Sequence, residues 1–233
     1  MLRSIPRRSV LTALLVLPAT LSLVGCNDSG EAKAQSADTS TGQAPAKAPE
    51  PQGSVDVAKL MQPGPLPDQV MGKADAPVTI VEYASMTCPH CAHFAAATLP
   101  ALKTKYIDPG KVKLILREFP FDPRAEAGFM LARCSNDNFF PMVEVLFKQQ
   151  PNWVAVDDAK SALLQIAKLA GFSQESFEKC LTDQQLLDQI RAVRDRGSKE
   201  FGVDSTPTFF INGKKYPGAM SIDEMSAIID PLL

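Results

Sequence analysis

The chain is short of the residues that gather metals, with two histidines and five cysteines among 233 residues. The histidines, His90 and His93, sit beside the chain's one Cys-x-x-Cys, formed by Cys88 and Cys91. A zinc module would have to use Cys88, Cys91 and a histidine, without the second cysteine pair of a closed structural site. Charge of one sign is also missing: 24 Lys and Arg face 26 Asp and Glu. The body has no basic block, so nothing recruits nucleic acid or an anionic membrane surface by electrostatics. The apolar run from Val10 to Val24 is interrupted by Thr12, Pro18, Thr20 and Ser22. It is short of the roughly 20 apolar residues that a spanning helix needs. From Asn27 to about Gln52 large apolar side chains are absent. Such a segment cannot bury enough surface to offset the entropy of ordering.

What is present starts with Arg3, Arg7 and Arg8 ahead of that apolar run. A positive start, a short apolar stretch and small residues at its end describe a secretory signal over residues 1–25. A single membrane-spanning anchor is the other reading. The run Arg7-Arg8-Ser9-Val10-Leu11 also looks like a twin-arginine export signal. Leu23-Val24-Gly25-Cys26 resembles the lipobox of bacterial lipoproteins, which implies a lipidated Cys26 at the mature N-terminus. Cysteine arithmetic agrees, because setting Cys26 aside leaves an even set: Cys88, Cys91, Cys134 and Cys180. Residues 26–62 then read as an anchor cysteine and flexible tether. Within it, Val55 to Met61 could form one turn of helix before the Pro-rich Gln62–Pro67.

The body begins with a β-branched run, Pro77 to Ala84, read as a buried strand. After Cys88-Pro89-His90-Cys91, residues 92–106 read as a helix that Pro100 kinks. Residues 111–119 read as a second strand, which makes a right-handed βαβ unit with parallel strands. From about Pro123 to Phe201 helical spacing takes over, as at Phe140, Val143 and Phe147. Three or four helices are expected there, with Asp157 or Asp158, Ser173 and Thr182 as N-caps and Gly171 as a stop. Thr208-Phe209-Phe210-Ile211 then returns to strand, Asn212-Gly213 turns it, and residues 214–216 pair back. A helix capped by Ser221 closes the chain. The order βαβ, helical block, ββα gives an α/β body over 71–122 and 202–233, with an all-helical insertion over 123–201.

A Cys-x-x-Cys that follows a strand and opens a helix has a specific chemistry. Cys88 lies at the helix N-terminus, where free backbone N–H groups and the macrodipole favour an anion. Its thiol pKa falls, the reduced form is stabilised, and the disulfide becomes a stronger oxidant and Cys88 a better leaving group. Cys91, one turn inside, is the resolving thiol. Pro89 fits the first helical turn, where its missing N–H costs nothing. His90 can carry positive charge or donate a hydrogen bond towards the thiolate, whereas His93 reads as a bystander. Glu82 is either a buried acid that exchanges protons with the inner thiol or a strand-end glutamate that reaches solvent. Cys134 and Cys180 read as a structural disulfide in an oxidising compartment, with two buried thiols or a second redox pair as alternatives.

Taken together, Val78 to Tyr83, Cys88-Pro89-His90-Cys91 and Thr206-Pro207 through Gly213 resemble the DsbA-type thiol–disulfide oxidoreductases of bacteria. The resemblance runs from about Met71 to the C-terminus, and an extra cysteine pair in the helical block is similar to the alphaproteobacterial members. It implies a thioredoxin fold with an inserted helical subdomain. It also implies a cis Pro207 facing the active site, Thr206 bonding a substrate backbone, and a buried Glu82. The implied activity is donation of the Cys88–Cys91 disulfide to reduced, unfolded or partly folded exported proteins, with no cofactor and a membrane thiol oxidase as reoxidant. Thr206 departs from oxidase relatives that carry an apolar residue before the proline, and it is also typical of isomerases. The redox direction therefore stays open between an oxidase and an isomerase or reductase. A non-catalytic lipoprotein on the same scaffold is the remaining reading. The expected location is the periplasm, on a tether.

Overall fold

The computed structural model describes residues 47–233. The signal segment, Cys26 and the first part of the tether lie outside them. The five strands are β1 (Gln69–Met71), β2 (Val78–Ala84), β3 (Val112–Glu118), β4 (Thr208–Ile211) and β5 (Lys214–Pro217). They form one sheet in the order β1-β3-β2-β4-β5. β2 and β3 are parallel, and every other pairing is antiparallel. A parallel pair needs a crossover, and the chain supplies one helically between β2 and β3. β4 is buried at all four positions, which explains its unbroken apolar run. In the β4–β5 turn both Asn212 (φ 44°) and Gly213 (φ 82°) are left-handed, as the twist of a tight hairpin demands. A Cβ on Gly213 would also stand 2.8 Å from the Val55 carbonyl oxygen. β1 escapes sequence reading because three residues next to prolines carry no period.

Two short helices come first: α1 (Val57–Leu60) and α2 (Pro89–His93). The rod that α2 begins continues through a π-helical turn, Phe94–Thr98, then α3 (Leu99–Leu102) and a second π turn, Lys103–Ile107. Pro100 has no N–H for the helical ladder. The π turn before it lets the Leu99 N–H reach back to the Phe94 carbonyl instead, so the helix widens at the proline and runs on.

Five helices, not three or four, fill the insertion: α4 (Pro123–Cys134), α5 (Phe139–Lys148), α6 (Ala159–Leu169), α7 (Gln174–Leu181) and α8 (Gln184–Phe201). α4 is hard to read because it is central: Ala125, Glu126, Gly128, Phe129, Met130, Leu131 and Ala132 are all buried, which leaves no clean polar face. Asp158 and Ser173 cap α6 and α7. Thr182 does not cap α8; it ends α7, and the Asp183 carboxylate accepts from the Leu186 N–H. Cys134 and Cys180 are joined by a disulfide that ties α4 to α7. The last helix, α9 (Ile222–Ile229), opens with a reciprocal cap between Ser221 and Glu224.

The tether expectation needs a correction at its end. Residues 52–62 lie on the body: the Gln52 N–H donates to the Lys215 carbonyl and the Val55 N–H to that of Gly213, both at 2.8 Å. Leu60 is 2% exposed. The buried Arg117 guanidinium holds this stretch, donating to the Leu60 carbonyl at 2.8 Å and to both Asp68 oxygens at 2.8 and 2.9 Å. One apolar anchor and a line of backbone donors suffice to order a segment whose composition looks unstructured.

Candidate active site

The reactive segment leaves the C-terminal end of β2. The Cys88 N–H donates to the Ser85 carbonyl at 3.1 Å, which turns the chain. Cys88 is the N-cap residue of α2 with extended backbone (φ −76°, ψ 120°), and Pro89 occupies the first helical position. Two residues from elsewhere fix this turn. The Thr87 hydroxyl donates to Asp122 at 2.5 Å, and Asp122 also caps α4. The Gln150 amide, from the helical insertion, donates to the carbonyls of Met86 at 2.7 Å and Cys88 at 3.0 Å. Neither partner was foreseen. Asp122-Pro123 carries the signature of a helix start, but nothing in the sequence points it at Thr87. Gln150 has no signal at all, because only the fold brings it 62 residues back to Cys88.

Both active-site cysteines are free thiols in this structure, Cys88 half-buried and Cys91 buried. The Cys88 thiol is held down at about 5 by hydrogen bonding from Cys91, working against its own desolvation, with help from Thr206 and from the Cys91 and His90 amides. Thr206 acts in both directions. Its side chain favours the thiolate, whereas its carbonyl accepts the thiol proton at 3.2 Å and so favours the neutral form. The amide donors and the Cys91 thiol outweigh that carbonyl. Cys91 is pushed far above the usual thiol range, first by burial, then by its hydrogen bond to Cys88 and the charges of Glu82 and Cys88. One sulfur is thus primed as an anion and its neighbour is kept neutral.

Glu82 is 4% exposed, not a strand-end residue in solvent. Burial, and secondly the charge on Cys88, push its carboxyl up to about 8. It sits mid-sheet, opposite Leu116 on β3 and Phe209 on β4. The Thr206–Pro207 peptide is cis and brings Thr206 against Cys88 from the start of β4. Both histidine side chains are exposed; His90 reaches the Cys88 sulfur through its backbone amide, and His93 does not. Cys134 and Cys180 lie in the insertion, bonded to each other, and neither is among the groups that shift Cys88 or Cys91. Among the described residues, no three His, Cys, Asp or Glu side chains gather in a way that would hold a metal.

A strand-turn-helix with a thiolate at the helix N-terminus, a buried partner thiol and a facing cis-proline is built for thiol–disulfide exchange. A thioredoxin family profile matches residues 66–231. The structure of alpha-DsbA1 from Wolbachia pipientis is 32% identical, with a TM-score of 0.69, over 75% of this chain and 94% of that one. BdbD from Bacillus subtilis is 25% identical, with a TM-score of 0.63, over 71% of this chain and 92% of that one. A Rickettsia bellii protein bearing the name of a protein-disulfide oxidoreductase is 35% identical over 165 residues, 70% of this chain. The chain spans 63% of that relative's length. The chain belongs to the thioredoxin family, in its DsbA-type branch of thiol–disulfide oxidoreductases.

Proposed function

We propose that this protein donates the Cys88–Cys91 disulfide to exported proteins as they fold. The observation that carries the reading is the thiol asymmetry, with Cys88 held down at about 5 and Cys91 buried and neutral. Stabilising the Cys88 thiolate stabilises the reduced protein, which makes the disulfide oxidising. In the first step a substrate thiolate attacks the Cys88 sulfur, and the Cys88–Cys91 bond breaks. Cys91 leaves as a thiolate in a site that opposes its charge, so it takes a proton, and the Glu82 carboxyl is the nearby donor. In the second step another substrate thiolate attacks the substrate sulfur of the mixed disulfide, and Cys88 departs as the stabilised thiolate. The substrate loses two electrons and gains a disulfide, and the cysteine pair is reduced. Thr206, beside the cis Pro207, is placed to bond the backbone of the bound polypeptide.

A membrane thiol oxidase is the proposed reoxidant, and the proposed setting is the periplasm, on a tether from a lipidated Cys26. Among the described residues, no helix is long and apolar enough to cross a membrane. The test is a redox titration of the Cys88–Cys91 pair against glutathione. A potential well above that of the glutathione pool supports the donor reading. A potential at or below it overturns that reading in favour of an isomerase or reductase working through the same residues.

A further inference from the structure

Behind the active site lies a cavity of about 330 Å³ between the α2–α3 rod, β1, β3 and α5. Its walls are apolar, with Phe94, Leu99, Leu114, Phe140, Val143 and Phe147 among them. An apolar cavity of about 150 Å³ is enough to hold benzene. Its polar floor is the Glu82 carboxyl, which opens on the cavity and is 4% exposed; the one sealed side-chain oxygen without a partner among the described residues is Glu118 Oε2, not an oxygen of Glu82. A carboxyl that faces an apolar cavity carries a desolvation cost that a polar ligand group can relieve. The charged and titratable groups around it are Cys88 and Cys91 on α2, Lys103 beyond α3 and Glu144 on α5. Its strand neighbours, Leu116 and Phe209, are apolar.

We propose that this cavity is a binding site for a small, neutral, ring-bearing carbonyl compound, whose oxygen accepts a hydrogen bond from the Glu82 carboxyl at its floor. The ring fills the aromatic and aliphatic pocket, and the carbonyl meets the carboxyl at its floor, since Lys103, also on the lining, donates to Asp108. A carboxylate ligand is excluded because it would bury a second acid, and a plain hydrocarbon would leave Glu82 unpaired. Occupancy engages the Glu82 proton, so it slows departure of Cys91 during exchange; this consequence rests on the proton role given to Glu82 above.

The test is fluorine NMR of the full chain with 4-fluoroacetophenone, using fluorobenzene and 4-fluorobenzoate as controls. Saturable binding is expected, with fluorobenzene and 4-fluorobenzoate each weaker by about tenfold or more, one decade of affinity being about 1.4 kcal/mol. Raising the pH through the Glu82 value of about 8 removes the donor and weakens binding; Glu82→Leu removes that pH dependence. Leu99→Trp and Ala95→Phe, two partly exposed positions on the wall, abolish binding by filling the space. Absence of saturation up to about 10 mM, below which even weak specific binding shows, overturns the site. So does equal binding of fluorobenzene, or binding that survives both filled variants. None of these readings needs an active enzyme. The rate of disulfide exchange in the same samples is separate: binding that leaves it unchanged keeps the site and overturns the proton role of Glu82.

Discussion

Two ionisable groups, Cys88 and Glu82, are displaced in opposite directions, and each leaves its own mark on stability. The folded Cys88 thiol titrates near 5, against an ordinary value of 9. Its thiolate therefore stabilises the reduced protein fully above pH 9, and the contribution is lost as pH falls through 5. The melting temperature of the reduced protein, compared with Cys88→Ser, is expected to rise across that window. A flat difference would remove the electrostatic account of the oxidising disulfide. Glu82 behaves in the reverse sense. Its folded carboxyl keeps a proton to about pH 8, whereas the unfolded one loses it near 4.5. Unfolding releases a proton between those values, so stability falls as pH rises, by an amount on the order of 5 kcal/mol. Glu82→Gln is expected to flatten that slope in urea unfolding and to gain on the native chain by a few kcal/mol at pH 9. The same variant should slow departure of Cys91 from the disulfide while leaving the Cys88 alkylation profile in place.

The elements divide according to how much of their logic is local. The β4–β5 hairpin, the Ser221 cap and the helix opened by Cys88 are set by residues a few positions apart, and all were legible in the sequence. So was the helical character of the insertion. The number of its helices was not, because α4 is buried nearly all round and shows no periodic face. The reactive pair was legible as a motif, whereas the devices that hold it are long-range: Asp122 under Thr87, and Gln150 across 62 residues to Cys88. Gln150 ties the insertion to the active-site turn through two carbonyls. Gln150→Ala leaves both without that donor in a buried setting, at a cost of about 1–3 kcal/mol. The expected functional sign is a displaced pH profile for Cys88 alkylation, because the turn that aims the His90 and Cys91 amides at the sulfur loses its brace. A stability loss with an unchanged profile would limit Gln150 to packing.

For the molecule as a whole, the Cys134–Cys180 bond spans 46 positions. By loop entropy it stabilises the fold by up to about 4 kcal/mol. Replacing both cysteines by alanine should lower the unfolding midpoint by a corresponding amount yet leave the potential of the Cys88–Cys91 pair unchanged; a moved potential would make the second pair part of the redox machinery. The docked N-terminal segment has a different consequence. Its backbone bonds to Lys215 on β5 and to Gly213 in the turn before it, and Ala48 packs on the cluster that contains Ile211, the end of β4 away from Thr208. Four strand residues, roughly 10–13 Å, separate that end from the cis-proline. The described chain therefore enters the fold at the end of β4 opposite the cis-proline, and whatever is joined to it there does not lie across the Cys88 sulfur.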